Sequence, residues 1–220
     1  MKTLHNAISR IPAYFIGYLL CFVLLSSYCF FTSKSDGFLL VNHFHNEMLD
    51  NFFIMFTNVG NGLFVIVLMV FMLVRRKIGW TLQIGISFLI SGLLVQLMKH
   101  YIPSPRPKVF FASGTIHDII GVTRTGYSSF PSGHTATIFM LTTLLTLYFP
   151  GRKPGLFFLT MAVLTGFSRV YLSQHFPIDV LVGSLTGVLL SLGVYMMIPL
   201  KSFGKKLPSH KWEQQTIKLR

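Results

Sequence analysis

The sequence predicts an all-α fold, a polytopic membrane helical bundle with six transmembrane helices, and three observations carry that reading. The chain of 220 residues is 52% hydrophobic and only 11% charged, with a mean hydropathy of +0.61, which is too apolar for an ordinary water-soluble domain. Uncharged runs recur over residues 11–31, 51–74, 78–98, 135–151, 154–168 and 180–200. A spanning helix needs about 20 mainly apolar residues, so four runs are comfortable and two are somewhat short. The third observation is the placement of charge. With an inside amino terminus, the inner segments hold Lys2, Arg10, Arg75, Arg76, Lys77, Arg152, Lys153, Lys201, Lys205, Lys206, Lys211, Lys218 and Arg220, 13 of the 19 basic residues. Short inner loops rich in Lys and Arg follow the positive-inside rule, so the formal net charge of +13 needs no nucleic-acid partner.

The elements follow in order. The first run is preceded by Lys2 and Arg10 and ends in Ser26-Ser27-Tyr28-Cys29-Phe30-Phe31, with no small-residue cleavage site, so it reads as a retained helix and not a signal peptide. Cys21 and Cys29 lie about 12 Å apart along it, too far for a disulfide. An outer loop with short helical potential runs to about Leu49. Asn58-Val-Gly-Asn-Gly62 is expected to kink or delay the second helix, because Gly and Asn favour irregular backbone. Arg75-Arg76-Lys77 turns the chain into a third helix from near Trp80 to around Lys99. Residues 101–130 form the longest connection, opened by the stiff Ile102-Pro-Ser-Pro-Arg-Pro107 stretch. The fourth helix starts beside His134 and ends before Pro150. The fifth runs from Arg152-Lys153 to about Leu172. The sixth starts near Asp179 and stops at Pro199. All of residues 1–220 read as one domain without repeats.

This topology brings separate polar positions to one membrane depth, giving an outer-face active site. Lys99 ends the third helix, His134 starts the fourth, Arg169 ends the fifth and Asp179 starts the sixth. In Phe130-Pro-Ser-Gly-His-Thr135, Ser132 is a natural N-cap, and the unpaired amides of the first turn would stabilise a phosphate oxygen. Gly133 lets that oxygen approach the backbone, and His134 stands beside it, able to give or take a proton. Arg169 follows a long uncharged run, and a guanidinium buried there calls for a ligand, a carboxylate or a polar cavity. Lys99, Arg106 and Arg169 together would neutralise a phosphate dianion. His175 and Asp179 supply a nucleophile and the acceptor that orients it across a bend.

These residues carry a resemblance. Lys99 through Arg106-Pro107, then Pro131-Ser132-Gly133-His134, then Ser168-Arg169 with His175 and Asp179 resemble the three-part signature of the type 2 phosphatidic acid phosphatase family, the membrane lipid phosphate phosphatases. Six residues separate Lys99 from Arg106, five separate Arg169 from His175 and three separate His175 from Asp179, over a signature spanning residues 99–179. The resemblance implies a cofactor-free, metal-independent phosphatase. Lys99, Arg106, Ser132, Gly133 and Arg169 would bind the phosphoryl group. His175 would attack phosphorus to form a phosphohistidine, with Asp179 orienting it and His134 as acid for the leaving group. The implied partners are the bilayer and a membrane lipid phosphate: an isoprenoid diphosphate, phosphatidylglycerophosphate, phosphatidic acid or a phosphorylated lipid A. No obligatory protein partner is expected. The implied setting is a bacterial cytoplasmic membrane, with both termini inside and the site facing the periplasm or exterior.

Two other readings compete. A metal-dependent membrane hydrolase would draw ligands from His43, His45, His117 and Asp118, although no tight acidic-histidine motif joins them. A non-catalytic phospholipid-binding or transport protein would use the same cations, yet would not need His134, His175 and Asp179 together.

Overall fold

The computed structural model describes residues 4–198. Pro199, where the sixth helix was expected to stop, lies outside the described residues with Lys2, Lys201, Lys205, Lys206, Lys211, Lys218 and Arg220. The described chain forms helices α1 (Leu4–Ile8), α2 (Pro12–Phe31), α3 (Lys34–Asn42), α4 (Glu47–Phe56), α5 (Gly62–Val74), α6 (Ile78–Tyr101), α7 (Pro107–Phe110), α8 (Gly133–Tyr148), α9 (Arg152–Tyr171) and α10 (Pro177–Met197), with a 3-10 turn, Thr57–Gly60, between α4 and α5. Proline sets several boundaries: Pro12 and Pro177 open α2 and α10, where a missing N–H costs nothing. The kink expected at Asn58–Gly62 is present as a 52° bend between the α4 segment and α5.

The architecture is an all-α, membrane-embedded bundle. By length and composition α2, α6 and α10 can cross a membrane, and the bent pair around the 3-10 turn makes a fourth candidate. The six crossings expected from the sequence therefore rest on α8 and α9, which do not meet that standard. For α8 the reason lies in its length and its surroundings, and for α9 in its charged residues Arg152, Lys153 and Arg169. α8, with 16 residues, is the central helix of the bundle, enclosed by α5, α6, α9 and α10. Its apolarity is diluted by Thr135, Thr142, Thr143 and Thr146, all buried. Such hydroxyls are tolerated because the last three donate back to carbonyls one turn earlier, at 2.7–2.8 Å. Tyr14 from α2 reaches in, its hydroxyl 3.0 Å from the Oγ1 atoms of Thr142 and Thr143. The outward faces of α2, α5 and α6 present Leu24, Phe30, Leu63, Leu89 and Leu93, an apolar sleeve that water would penalise and lipid would not.

α8 and α10 approach most closely at Gly183 and Gly187, four residues apart as in the small-residue contacts of membrane helices. A Cβ on Gly183 would lie 2.6 Å from the Ser132 carbonyl, and one on Gly187 would lie 2.8 Å from the Met140 nitrogen. These are backbone atoms, so the helices would have to move apart. At the end opposite Lys99 and His134, Arg76 takes a positive φ of 55° in the α5–α6 turn. Gly151, with φ 147°, turns α8 into α9. Tyr148 donates to Gln83 Oε1 at 2.8 Å there, fastening α8 to α6.

Candidate active site

The amino terminus of α8 is built by its cap. Ser132 has extended φ/ψ of −73° and 112°, and its Oγ accepts from the Thr135 amide at 3.4 Å and from the Thr135 hydroxyl at 2.8 Å. The Ala136 amide bonds the Ser132 carbonyl. Among the described residues, the amides of Gly133 and His134 donate to no acceptor. Two N–H groups therefore point out of a positive helix end, an arrangement that holds an anion. The Ser132 amide donates to the Asp179 carbonyl at 3.0 Å, so the beginnings of α8 and α10 are joined by their backbones.

The end of α9 explains the spacing between Arg169 and His175. Ser173 takes the left-handed conformation, φ 54°, at the position after the helix where glycine is usual. The Gln174 amide returns to the Arg169 carbonyl and the Ser173 amide to the Val170 carbonyl, closing a Schellman turn that also holds the His175 amide on Arg169. Ser173 is secured by its hydroxyl, which donates to the His117 carbonyl at 2.7 Å and accepts from Asn42 at 2.8 Å. His175 thereby emerges over the bundle between α9 and α10, backed by Phe176, which packs against Phe38, Phe110 and Phe111.

Asp179 sits three residues into α10 and is 1% exposed. Its Oδ2 accepts from the Phe176 amide at 2.9 Å, capping α10, and from the Ser129 hydroxyl at 2.6 Å. The same oxygen lies 3.4 Å from Nδ1 of His175, a charge contact whose alignment falls short of a good hydrogen bond. One oxygen of Asp179 thus both caps α10 and faces the histidine. Burial pushes the His175 pKa down to about 4, with Asp179 opposing and Arg169 reinforcing the fall. Burial thus favours the neutral ring, and a proton on Nδ1, the nitrogen facing Asp179, would leave the lone pair on Nε2.

The three basic residues are fixed by carbonyls and by Thr57 and Gln174, two residues that the sequence reading passed over. Lys99 Nζ donates to the Ser128 carbonyl at 2.5 Å. Arg106 is 6% exposed and reaches the Ser128 carbonyl at 3.2 Å and the Gln174 carbonyl at 2.9 Å. Burial lowers the Arg106 pKa, and Arg124 adds to the effect. Arg169, 2% exposed, donates to Thr57 Oγ1 at 2.6 Å and to Gln174 Oε1, leaving its buried Nε without a protein partner among the described residues. Gln174 therefore organises both guanidiniums, and its Nε2 ties the 102–130 connection through the Val122 carbonyl at 2.9 Å. A glutamine between Arg169 and His175 gave no signal by itself, because its importance lies in what folds onto it.

All eight expected positions are brought together. Lys99 and Arg106 share the Ser128 carbonyl, Arg106 and Arg169 share Gln174, His175 faces Asp179, and Asp179 is bonded to Ser132 at the start of the turn carrying Gly133 and His134. His134 is half-buried, within charge–charge range of Arg169, His175 and Arg106. A pocket of about 190 Å³ opens beside it between α5, α6 and α8, lined by Gly60, Gly62, Phe88, Val95, Gln96, Gly133 and His134. A larger apolar cleft, about 380 Å³ between α2, α9 and α10, contains none of the eight.

The other histidines stand apart. His117 pairs with Asp50 at 2.9 Å and stacks on His45 at 3.7 Å, while Asp118 pairs with Lys108, which lowers the Asp118 pKa. His43, His45, His117 and Asp118 do not form a ligand set: among the described residues no group of three His, Cys, Asp or Glu side chains is placed to hold a metal ion.

With this geometry in view, comparison with known proteins is decisive for the family. Residues 80–203 match the PAP2 superfamily, more than half of the chain. The chain belongs to the PAP2 superfamily. It is 30% identical over 146 residues to the undecaprenyl-diphosphatase BcrC of Bacillus subtilis, covering 64% of this chain and 70% of that protein. The bacitracin transport permease protein BcrC of Bacillus licheniformis is 37% identical, with 41% of this chain and 44% of that protein covered, and the lipid A 1-phosphatase of Rhizobium johnstonii is 33% identical, with 46% and 41% covered. Among solved structures, Aquifex aeolicus LpxE superposes with a TM-score of 0.68 at 27% identity, covering 76% of this chain and 96% of the other. A PAP2-type phosphatidylglycerolphosphate phosphatase from Bacillus subtilis gives 0.62 at 26% identity, with 83% and 94% covered.

Proposed function

We propose that this chain is a metal-independent lipid phosphate phosphatase working through a phosphohistidine on His175. The observation that carries this reading is the buried His175–Asp179 pair facing Lys99, Arg106 and Arg169. A neutral imidazole with a free Nε2 beside three cations is arranged to attack an anion, which a binding or transport protein does not require.

In the proposed reaction, the amides of Gly133 and His134 and the three basic side chains hold the equatorial phosphoryl oxygens. Nε2 of His175 forms a bond to phosphorus as the P–O bond to the lipid breaks, and His134 gives its proton to the leaving oxygen. The imidazolium that forms on His175 keeps its Nδ1 proton toward Asp179. Water then attacks phosphorus, His134 takes up the water proton, the P–N bond breaks, and orthophosphate leaves. The pocket between α5, α6 and α8, lined in part by His134, supports a path for the lipid beside the proposed proton donor.

The substrate class proposed is a membrane lipid bearing a terminal phosphate, as a monoester or a diphosphate. The names of the compared proteins, an undecaprenyl-diphosphatase and a phosphatidylglycerolphosphate phosphatase, support isoprenoid diphosphate and phosphatidylglycerophosphate as first choices. We place six crossings in the cytoplasmic membrane of a bacterium, with both termini inside and the site at the outer face. Phosphate release by the purified chain from a panel of these lipids in excess chelator tests the proposal. Release is expected, and release only on adding a divalent cation would contradict it.

A further inference from the structure

The connection over the site holds one cation that this chemistry does not use. Arg124 is exposed, and among the described residues it makes no hydrogen bond or ion pair. The chain around it is nevertheless pinned. Before it, the Val122 carbonyl accepts from Gln174, and Thr123 Oγ1 accepts from the Ile119 amide at 2.8 Å. After it, the Gly126 carbonyl accepts from the Arg106 amide at 2.9 Å. Arg124 is thus anchored between contacts to Gln174 and Arg106, the two residues that set the buried guanidiniums. Its charge acts on Lys99, Arg106, His134 and Arg169.

Arg124 thus adds a fourth cation to Lys99, Arg106 and Arg169, and the charge of the buried Asp179 reaches only Lys99 and Arg106 among them. Like charges gathered at one site repel one another, and a terminal phosphoryl group, with at most two negative charges, is already served by Lys99, Arg106 and Arg169. Arg124 differs from those three in being exposed at the rim with its whole donor fork free. Resting on the phosphatase reading, we propose that Arg124 recognises a second phosphate on the substrate, on the leaving side of the bond that breaks. The chain then favours lipids carrying two phosphates over lipids carrying one. In a diphosphate, His175 Nε2 bonds to the terminal phosphorus, the bridging oxygen departs with the lipid monophosphate, and Arg124 accompanies the charge that develops there.

The test uses the full chain in detergent, with farnesyl diphosphate and farnesyl monophosphate as probes and phosphate release as readout. The native chain is expected to prefer the diphosphate. Arg124→Ala lowers kcat/KM for the diphosphate by about 10- to 100-fold, the range of one charge-assisted contact, with less than a threefold change for the monophosphate. Arg124→Lys retains part of the preference, because it keeps the charge without the fork. Equal losses on both probes, or no loss on either, would overturn the assignment. If the native chain releases phosphate from neither probe and from no lipid of the panel above, or His175→Ala releases it at the native rate, the phosphatase reading itself fails, an outcome distinct from the first two.

Discussion

The proposed nucleophile, His175, needs its neutral ring held in one tautomer, and the Asp179 oxygen 3.4 Å away, which also caps α10 and accepts from Ser129, is proposed to supply that restraint. Replacing Asp179 with Asn keeps the size and part of the hydrogen bonding but removes the charge that steadies the imidazolium. Turnover is expected to fall by about 100-fold or more, with KM changed by less than about threefold, as steady-state kinetics would show. The acid limb of the pH profile follows from the same pair. With burial holding the His175 pKa at about 4, the nucleophile is neutral above that pH and protonated below it. The expected kcat/KM therefore stays free of His175 titration down to about pH 4 and falls tenfold per unit below it. A limb near the ordinary histidine value, about 6.5, assigned to His175 by its loss on mutation, would contradict the burial argument.

Two helix ends and one helix contact give the site its shape. The Schellman turn after α9 demands a left-handed residue, and the chain uses Ser173, which offsets the conformational cost with hydrogen bonds to Asn42 and His117. Ser173→Gly loses the hydroxyl contacts but relieves the backbone, whereas Ser173→Ala loses the contacts and keeps the strain. The glycine variant is expected to unfold at higher temperature in detergent than the alanine variant, by about 1 kcal/mol of stability. The α8–α10 contact is less forgiving. Gly183→Leu drives a side chain into the Ser132 carbonyl, so it should pull the Ser132–Asp179 link apart, costing about 1–3 kcal/mol and most of the activity. These details also show why sequence reading reached some features and not others. The Ser132 cap, the bend at Asn58–Gly62 and the proline boundaries are local chemistry, legible in a few consecutive residues. The Gly183/Gly187 spacing was present as a pattern, but its partner on α8 was not. Gln174, Ser129 and the Ser128 carbonyl acquire meaning only when separated segments meet, and the burial of Arg106 depends on the same meeting.

The described chain as a whole is a sleeve of apolar helices around the threonine-bearing α8, with Lys99, Arg106 and Arg169 gathered at one end and Arg75, Arg76, Lys77, Arg152 and Lys153 at the other. Hydropathy revealed the sleeve, whereas the central helix is short, with 16 residues, and carries buried threonines that its protein surroundings accommodate. The proposed orientation makes the Lys99 end external. In a background lacking Cys21 and Cys29, a cysteine at the exposed position Ile120 should react with a membrane-impermeant maleimide in intact cells, while one at Arg76 should react only after lysis. The reverse pattern would invert the bundle. Convergence of α8, α9 and α10 on one nucleophile is tested most directly by rapid mixing with substrate labelled in its terminal phosphate, followed by an acid-free quench and mapping of the labelled peptide. The expected result is an acid-labile phosphate on His175 of the native chain and none, with no turnover, in His175→Ala. Normal turnover by that variant, or label on another residue, would contradict the mechanism.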